Sequence, residues 1–284
     1  MRYLVGMRKT PSLLLLLPLL LALSACGRSI AERTSLAGDI AQGHLPVHAT
    51  VPAGAFRLVS YARVTAPGAT ARVYIEGDGL AWLGTHEPSL NPTPTDPIAL
   101  RLTARDPAPN VVWLARPCQY EGFSPDCGQE FWTGKRFAPE VVDAYSRALD
   151  ALKQQDHFTG FELVGFSGGG AIAALLAARR TDVVNLRTVA GNLDHDAFNA
   201  IHKVSPMPSS LNPRDEAKKI ARLPQLHFIG AKDEVMPEAV FDSFAQAAGN
   251  SPCIHHILVP GATHEDGWDK AWPGLLEQPV ACTR

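Results

Sequence analysis

Short apolar runs alternate with longer segments of helical periodicity over most of the chain. Seven runs have the length and composition of buried strands: residues 56–63, 71–76, 110–117, 161–166, 186–191, 225–230 and 253–260. Four segments between them have helical character: residues 96–106, 138–155, 169–180 and 237–249. This alternation predicts an α/β fold with a mostly parallel central sheet and helices on both faces.

The segment 138–155 shows the helical pattern most clearly. Its apolar residues recur at intervals of three and four, so one face should pack against the sheet. They are Val141, Val142, Tyr145, Leu149 and Leu152.

Three segments lack such a pattern. Residues 26–54 are mixed in character and are interpreted as a tether and lead-in, which leaves residues 55–284 as a single domain. Residues 84–96 and 203–213 are rich in proline, serine and asparagine, which is typical of loops. The second of these loops could form a small cap over a site.

The N-terminus is typical of a secretory signal. Arg2, Arg8 and Lys9 precede an apolar run from Leu13 to Leu23, which is too short to cross a bilayer as a permanent helix. No later segment has 18 consecutive apolar residues, so no internal membrane helix is predicted.

The residues that end this run, Leu23 to Cys26 in the order LSAC, resemble a bacterial lipobox. The resemblance implies a lipoprotein signal peptide over residues 1–25, cleavage before Cys26, and lipid, including palmitate, on the Cys26 thiol. It also implies export and attachment to the cell envelope, and Gly27 at the next position favours the outer membrane, facing the periplasm or the surface. An ordinary secretory signal with an incidental cysteine is the alternative.

The charge of the chain argues against one class of partner. The formal charge is −2, and cleavage before Cys26 would leave 259 residues with a charge of −5. A mildly acidic chain without a run of Lys or Arg has no field to hold nucleic acid, so we expect no such partner.

Four cysteines remain after Cys26, and the oxidising environment that an exported protein meets allows them to form disulfides. We predict the pairs Cys118–Cys127, across a short polar loop, and Cys253–Cys282, which would tie the C-terminus to the last strand. Three pairings are possible, and free buried thiols are the alternative. A metal site is disfavoured because the sequence contains no Cys-x-x-Cys pair.

The stretch GFSGG, residues 165–169, follows a predicted strand and precedes a predicted helix. It matches G-x-S-x-G, the nucleophile elbow, in which a sharp strand-to-helix turn exposes one serine. Side chains at positions 165 and 169 would clash in such a turn, and glycine removes them. Ser167 is therefore the candidate nucleophile, with an idle serine in a glycine turn as the structural alternative.

A serine nucleophile needs a base and an acid that orients the base, which follow it in the order Asp or Glu, then His, in this fold. Asp233 follows the predicted strand 225–230, and His264 follows the predicted strand 253–260. Both positions lie at the carboxyl edge of the sheet, where open α/β sheets bind ligands. Asp194, which follows another strand, is the rival acid.

Acyl transfer also needs donors for the oxyanion. The N–H of Gly168, directly after the nucleophile, should be one of them. The second should be the N–H of Asp78, in the glycine-containing loop after the strand 71–76. Glu76 and Asp78 bring negative charge close to this place, so both carboxylates must be paired or point away.

These motifs together resemble the α/β-hydrolase superfamily, and more narrowly exported bacterial α/β-hydrolase lipoproteins. The resemblance covers residues 55–284 and is carried by GFSGG, GAKDEVMP, GATHEDGW and YIEGDG, with RPCQY, FWTGKRFAPE and VSPMPSSLNP as further shared stretches. It implies a serine hydrolase with an acyl-enzyme intermediate, a small-molecule acyl substrate, and neither a cofactor nor a metal.

The short connection between residues 192 and 225 leaves room for a small cap only, which favours a carboxylic ester as substrate. Trp82, Phe123 and Trp132 are candidates for an acyl pocket, although aromatic residues more often belong to a core. Peptidase, thioesterase and acyltransferase activities use the same residues and remain open. A non-catalytic envelope binding protein with the same fold is the alternative outside enzymes.

Overall fold

A computed structural model describes residues 28–84, 86–121 and 126–283. The predicted signal segment 1–25 and Cys26 lie outside these residues. The strands are β1 (Val47–Ala53), β2 (Phe56–Val64), β3 (Ala71–Ile75), β4 (Asn110–Leu114), β5 (Phe161–Phe166), β6 (Val183–Val189), β7 (Gln225–Gly230) and β8 (Ile254–Val259). The helices are α1 (Ile30–Ala41), α2 (Ile98–Arg105), α3 (Pro139–Asp156), α4 (Gly168–Ala177), α5 (His195–His202), α6 (Pro213–Glu216), α7 (Glu238–Ala247) and α8 (Trp268–Leu276).

The eight strands form one sheet in the order β1-β2-β4-β3-β5-β6-β7-β8. β1 pairs antiparallel with β2, and β2 pairs antiparallel with β4. The other six strands, β3 to β8, are parallel to one another. The predicted mostly parallel sheet is therefore confirmed, with an antiparallel pair at one edge.

Alternate residues of the central strands point to opposite faces of the sheet, as strand geometry requires. Val73, Ile75 and Leu163 belong to one apolar cluster, which also contains residues of α3 and α4. Tyr74 and Val164 belong to the other, which contains residues of α1, α2 and α8. Both faces of the sheet are therefore covered, and its parallel strands are buried on both sides.

The expected tether over residues 26–54 is much shorter in the structure. Residues 30–41 form α1, in which Ser29 and Glu32 make a capping box, and Ala37 and Ala41 are buried. β1 pairs with β2 along its whole length. The folded unit therefore begins near residue 29 and not at residue 55.

The connection between β6 and β7, residues 190–224, contains α5, the loop 203–212, α6 and one 3₁₀ turn (Ala217–Ile220). The small cap over the site stays a prediction. In the part of the chain that the structure describes, no helix is long and apolar enough to span a bilayer.

The four cysteines pair as predicted. Cys118 is bonded to Cys127, and Cys253 is bonded to Cys282, with sequence separations of 9 and 29 residues. The second bond fastens the C-terminal segment beside the start of β8.

The two disulfides should differ in what they contribute to stability. In the chain-entropy account, a bond that closes 29 residues stabilises by about 3.5 kcal/mol and one that closes 9 residues by about 2.5 kcal/mol. We expect Cys253→Ala/Cys282→Ala to lower the free energy of unfolding, measured in urea, by more than Cys118→Ala/Cys127→Ala. A larger loss from the shorter loop would contradict this order.

Candidate active site

Ser167 occupies a strained turn between β5 and α4. Its backbone is at φ 50° and ψ −118°, a conformation that costs a residue with a side chain of order 1–3 kcal/mol. Hydrogen bonds hold the backbone of Ser167 on both sides of its Cα. Its N–H donates to Val189 O at 2.9 Å, and its carbonyl accepts from Gly170 N at 2.9 Å and Asn192 N at 3.0 Å. The serine is thus fixed and half-buried at the carboxyl edge of the sheet.

The glycines around Ser167 are required by space. A Cβ at Gly165 would lie less than 3 Å from the backbone of Gly169, and a Cβ at Gly169 would lie less than 3 Å from the backbone of Ile75 and Glu76. The turn after β5 is therefore packed backbone against backbone, and no side chain fits at either position.

The structure brings His264 and Asp233 to Ser167 in one hydrogen-bonded chain. His264 Nε2 is 3.0 Å from Ser167 Oγ, and His264 Nδ1 is 3.0 Å from Asp233 Oδ2. Since an ionised carboxylate only accepts, Nδ1 carries the proton and leaves Nε2 free to accept from the serine hydroxyl.

Further hydrogen bonds orient both Asp233 and His264. The other oxygen of Asp233, Oδ1, accepts from the N–H groups of Val235 at 2.9 Å and Met236 at 2.7 Å. The Asp233 side chain is fully buried, whereas that of His264 is 16% exposed. Trp268 Nε1 donates to His264 O at 2.9 Å, which fixes the histidine backbone as well.

The rival acid, Asp194, has a different role in the structure. It caps α5 by accepting from Asp196 N and Ala197 N. It also accepts from Asn212 Nδ2 at 2.8 Å and Ser243 Oγ at 2.6 Å. Its hydrogen bonds join α5 to neighbouring segments, and it is Asp233 that contacts His264.

The carboxylate of Asp78 lies against Gly168 and is paired with two arginines. Arg116 Nη1 is 2.8 Å from Asp78 Oδ1, and Arg136 Nε is 3.1 Å from Asp78 Oδ2. A Cβ added at Gly168 would collide with this carboxylate, so the loop after β3 and the start of α4 are in direct contact. As the first residue of α4, Gly168 carries an N–H without an intrahelical acceptor.

Arg116 and Arg136 are the site residues that sequence reasoning missed. Arg116 also donates to the carbonyl of Arg136, and both guanidinium groups lie over the Phe137 ring, at 5.5 and 5.3 Å from its centroid. The signal that could have found them is the need of Asp78 for a cation, together with an arginine in each of the stretches RPCQY and FWTGKRFAPE.

Glu76 is fully buried directly before this loop. Its carboxylate accepts from Gly77 N at 2.9 Å, Trp113 Nε1 at 3.0 Å, and Ala99 N and Leu100 N at 3.3 Å. Burial raises its pKa to about 7, although the four N–H donors act in the opposite direction. The side chain joins the loop after β3 to the first turn of α2.

Of the three aromatic candidates for an acyl pocket, Trp132 and Trp82 are described, and their surroundings differ. Trp132 is buried in a small cluster with Ala81 and Cys118, and its Nε1 donates to Ser89 O at 3.2 Å. Trp82 is 40% exposed on a short hairpin. Phe123 lies outside the described residues.

The family of FSH1 serine hydrolases matches residues 101–262, more than half of the chain. The chain belongs to this family. The matched region contains Ser167 and Asp233 and ends two residues before His264. No curated protein sequence matches.

Solved structures share the fold at low sequence identity. An esterase from Pyrococcus furiosus has a TM-score of 0.58 and 12% identity, with 84% of this chain and 90% of that chain covered. Est1E from Butyrivibrio proteoclasticus has a TM-score of 0.54 and 14% identity, covering 81% and 97%. An acylaminoacyl peptidase from Pyrococcus horikoshii has a TM-score of 0.58 and 12% identity, covering 84% and 42%. This FSH1-family chain is a hydrolase with the α/β-hydrolase fold.

The described residues contain no group of three or more His, Cys, Asp or Glu side chains that could hold a metal ion. Ser167, His264 and Asp233 bring together one hydroxyl, one imidazole and one buried carboxylate, an arrangement that can act as a nucleophile with its own base.

The packed turn predicts a sharp difference between glycines. Gly165→Ala and Gly169→Ala should each lower kcat by at least ~100-fold, because the turn must move to admit a Cβ and displace Ser167 by a fraction of an ångström or more. Gly134→Ala is the matched control, since a Cβ there meets nothing within 4 Å. Steady-state kinetics on the folded variants would contradict the packing if all three resembled wild type.

Glu76 should make stability depend on pH. Its pKa is about 7 in the folded state and near 4.5 in the unfolded chain, so its contribution to stability is lost as pH rises from about 4.5 through 7, by up to about 3 kcal/mol. Glu76→Gln is destabilised throughout, because its amide N–H₂ faces N–H donors, but it does not titrate. The difference in unfolding free energy between wild type and Glu76→Gln should therefore shrink from pH 5 to pH 8. A constant or growing difference would exclude this titration.

Proposed function

We propose that this FSH1-family hydrolase cleaves a carboxylic ester through a Ser167–His264–Asp233 triad and an acyl-enzyme intermediate. The observation that carries the proposal is the continuous pair of 3.0 Å contacts from Ser167 Oγ through His264 to Asp233. The strained backbone of Ser167 supports it, because strain of this kind is stored at functional sites.

In the first step, Ser167 Oγ attacks the acyl carbonyl carbon while its proton passes to His264 Nε2. Asp233 stabilises the imidazolium and keeps Nδ1 directed towards itself. His264 then gives this proton to the leaving alcohol as the C–O bond breaks. A water molecule, deprotonated by the same nitrogen, attacks the acyl-enzyme and releases the acid and the free serine.

The oxyanion would accept hydrogen bonds from the N–H groups of Gly168 and Asp78. The contact between these two residues supports the pairing, and the N-terminal end of α4 adds its positive dipole. The two arginines beside Asp78 offset the negative charge of its carboxylate, which would otherwise oppose the developing anion.

The small connection between β6 and β7 supports an ester of modest size over a long buried acyl chain. The esterase from Pyrococcus furiosus, which shares the fold, supports the same choice. We further propose that the chain is exported and lipid-anchored through Cys26, since the signal-like head and the LSAC sequence support attachment to the bacterial envelope.

The triad predicts a graded loss of activity. Ser167→Ala should lower kcat/KM for a water-soluble ester by at least ~10⁴-fold, and Asp233→Asn by ~10³–10⁴-fold, because the wrong imidazole tautomer then faces the serine. Asp194→Asn is the control for the acid: it keeps an oxygen that caps α5 but replaces the oxygen that accepts from Ser243 Oγ, so it should reduce stability and leave kcat within a few-fold.

The measurement is steady-state kinetics on matched ester, thioester and peptide-amide substrates. Undiminished ester hydrolysis by Ser167→Ala would overturn the mechanism. A larger effect at Asp194 than at Asp233 would move the acid to the rival position. Turnover confined to thioesters or amides would be consistent with the triad and would refute the proposal that the substrate is a carboxylic ester.

A further inference from the structure

A short hairpin follows directly after the loop that contacts Gly168. Its two arms, residues 80–84 and 86–90, are joined by the hydrogen bonds Ser89 N to Ala81 O at 2.9 Å and Leu83 N to Glu87 O at 2.8 Å. Because side chains alternate along each arm, Ala81 and Ser89 point inwards, where both are buried.

The opposite side of this hairpin is apolar. The pairing of Trp82 with Pro88 puts four side chains on the same outward face: Leu80, Trp82, Pro88 and Leu90. We call this the outer hairpin face. Trp82 is 40% exposed and Leu90 is 92% exposed, and Leu83 beside the turn is 58% exposed. Large exposed apolar side chains that neighbour one another are candidates for contact with a partner.

The described chain begins at the foot of the same hairpin. Arg28 Nη1 donates to Thr95 O at 2.9 Å, and Arg33 Nη1 donates to Thr93 O at 2.9 Å. Thr93 is three residues beyond Leu90. Cys26 precedes Arg28 by two residues in the sequence and lies outside the described residues. The described chain therefore begins beside the outer hairpin face.

We propose that the outer hairpin face docks on the lipid bilayer to which the N-terminal segment attaches the protein. Trp82 and Leu90 enter the interfacial region, where tryptophan is favoured, because it has an apolar body and a polar N–H. Arg28, at the same end of the molecule, brings a cation to the lipid headgroups.

Docking has a consequence for catalysis that rests on the proposed function. Asp78 is two residues before Leu80, so the outer hairpin face and the proposed oxyanion loop belong to one continuous segment. With this face on the bilayer, the Ser167 site opens towards esters carried in the membrane. The substrate class is then an acyl ester presented by lipid.

The distribution of tryptophans supplies a direct test. Four of the five tryptophans of the chain are buried, which are Trp113, Trp132, Trp268 and Trp272, and Trp82 is the exposed one. The full-length protein is reconstituted in vesicles of phosphatidylcholine or of its brominated analogue, whose bromine atoms quench tryptophan emission within the bilayer. We expect emission to fall in brominated vesicles for wild type and to be unaffected in Trp82→Phe.

The control is Val184→Ser, at the amino end of β6 and so at the opposite end of the parallel strands, where Val184 is 47% exposed. It should be quenched as wild type is. Unquenched wild-type emission would overturn the docking, since a tether alone leaves Trp82 in water. A concentration-dependent blue shift without quenching would overturn it as well and would assign the face to a second copy.

The catalytic consequence needs a second measurement. Leu90→Ser should lower hydrolysis of a vesicle-borne ester about tenfold, because it removes one large side chain from lipid, and leave a water-soluble ester unaffected. If Leu90→Ser changed the hydrolysis rates of the two esters by the same factor, the lipid-borne substrate would be refuted. Quenching at Trp82 together with undiminished activity in Ser167→Ala would refute the proposed function and leave the docking intact.

Discussion

The left-handed turn at Ser167 is the constraint on which the rest of the structure depends. A serine at φ 50° is unfavourable by itself, and it persists because β6 and the loop after it bind its backbone from both sides. The glycines allow α4 to begin against the ends of β3 and β5. Ser167 is thereby raised above the same edge at which β7 and β8 end in the loops of Asp233 and His264.

Charge is the second feature that the site must accommodate. Asp78 lies against Gly168, directly after Ser167, and Glu76 begins the same loop; an unpaired carboxylate at Ser167 would oppose the formation of an oxyanion. The two carboxylates have different partners. Glu76 is buried among N–H donors, and Asp78 is paired with Arg116 and Arg136. The same contacts fix the loop after β3, so neutralisation and positioning are achieved together.

The sequence predicted the central strands well because they are buried on both faces and read as continuous apolar runs. It missed β1 because this edge strand is mostly exposed and has no such run, and it missed α1 because few of its residues are buried. Asp233 and His264 could be found because both follow recognisable strands. Arg116 was not singled out as the partner of Asp78, since the two residues meet across 38 positions and no spacing rule connects them.

We propose that one serine, Ser167, is made reactive by its surroundings. Labelling with a fluorophosphonate, followed by mass mapping of the modified peptide, tests this most directly, because the reagent reacts with activated serines and not with ordinary ones. The account predicts one adduct, on Ser167, that forms far more slowly in His264→Ala. Labelling at another residue, or an unlabelled Ser167 in a protein that still hydrolyses substrate, would contradict it.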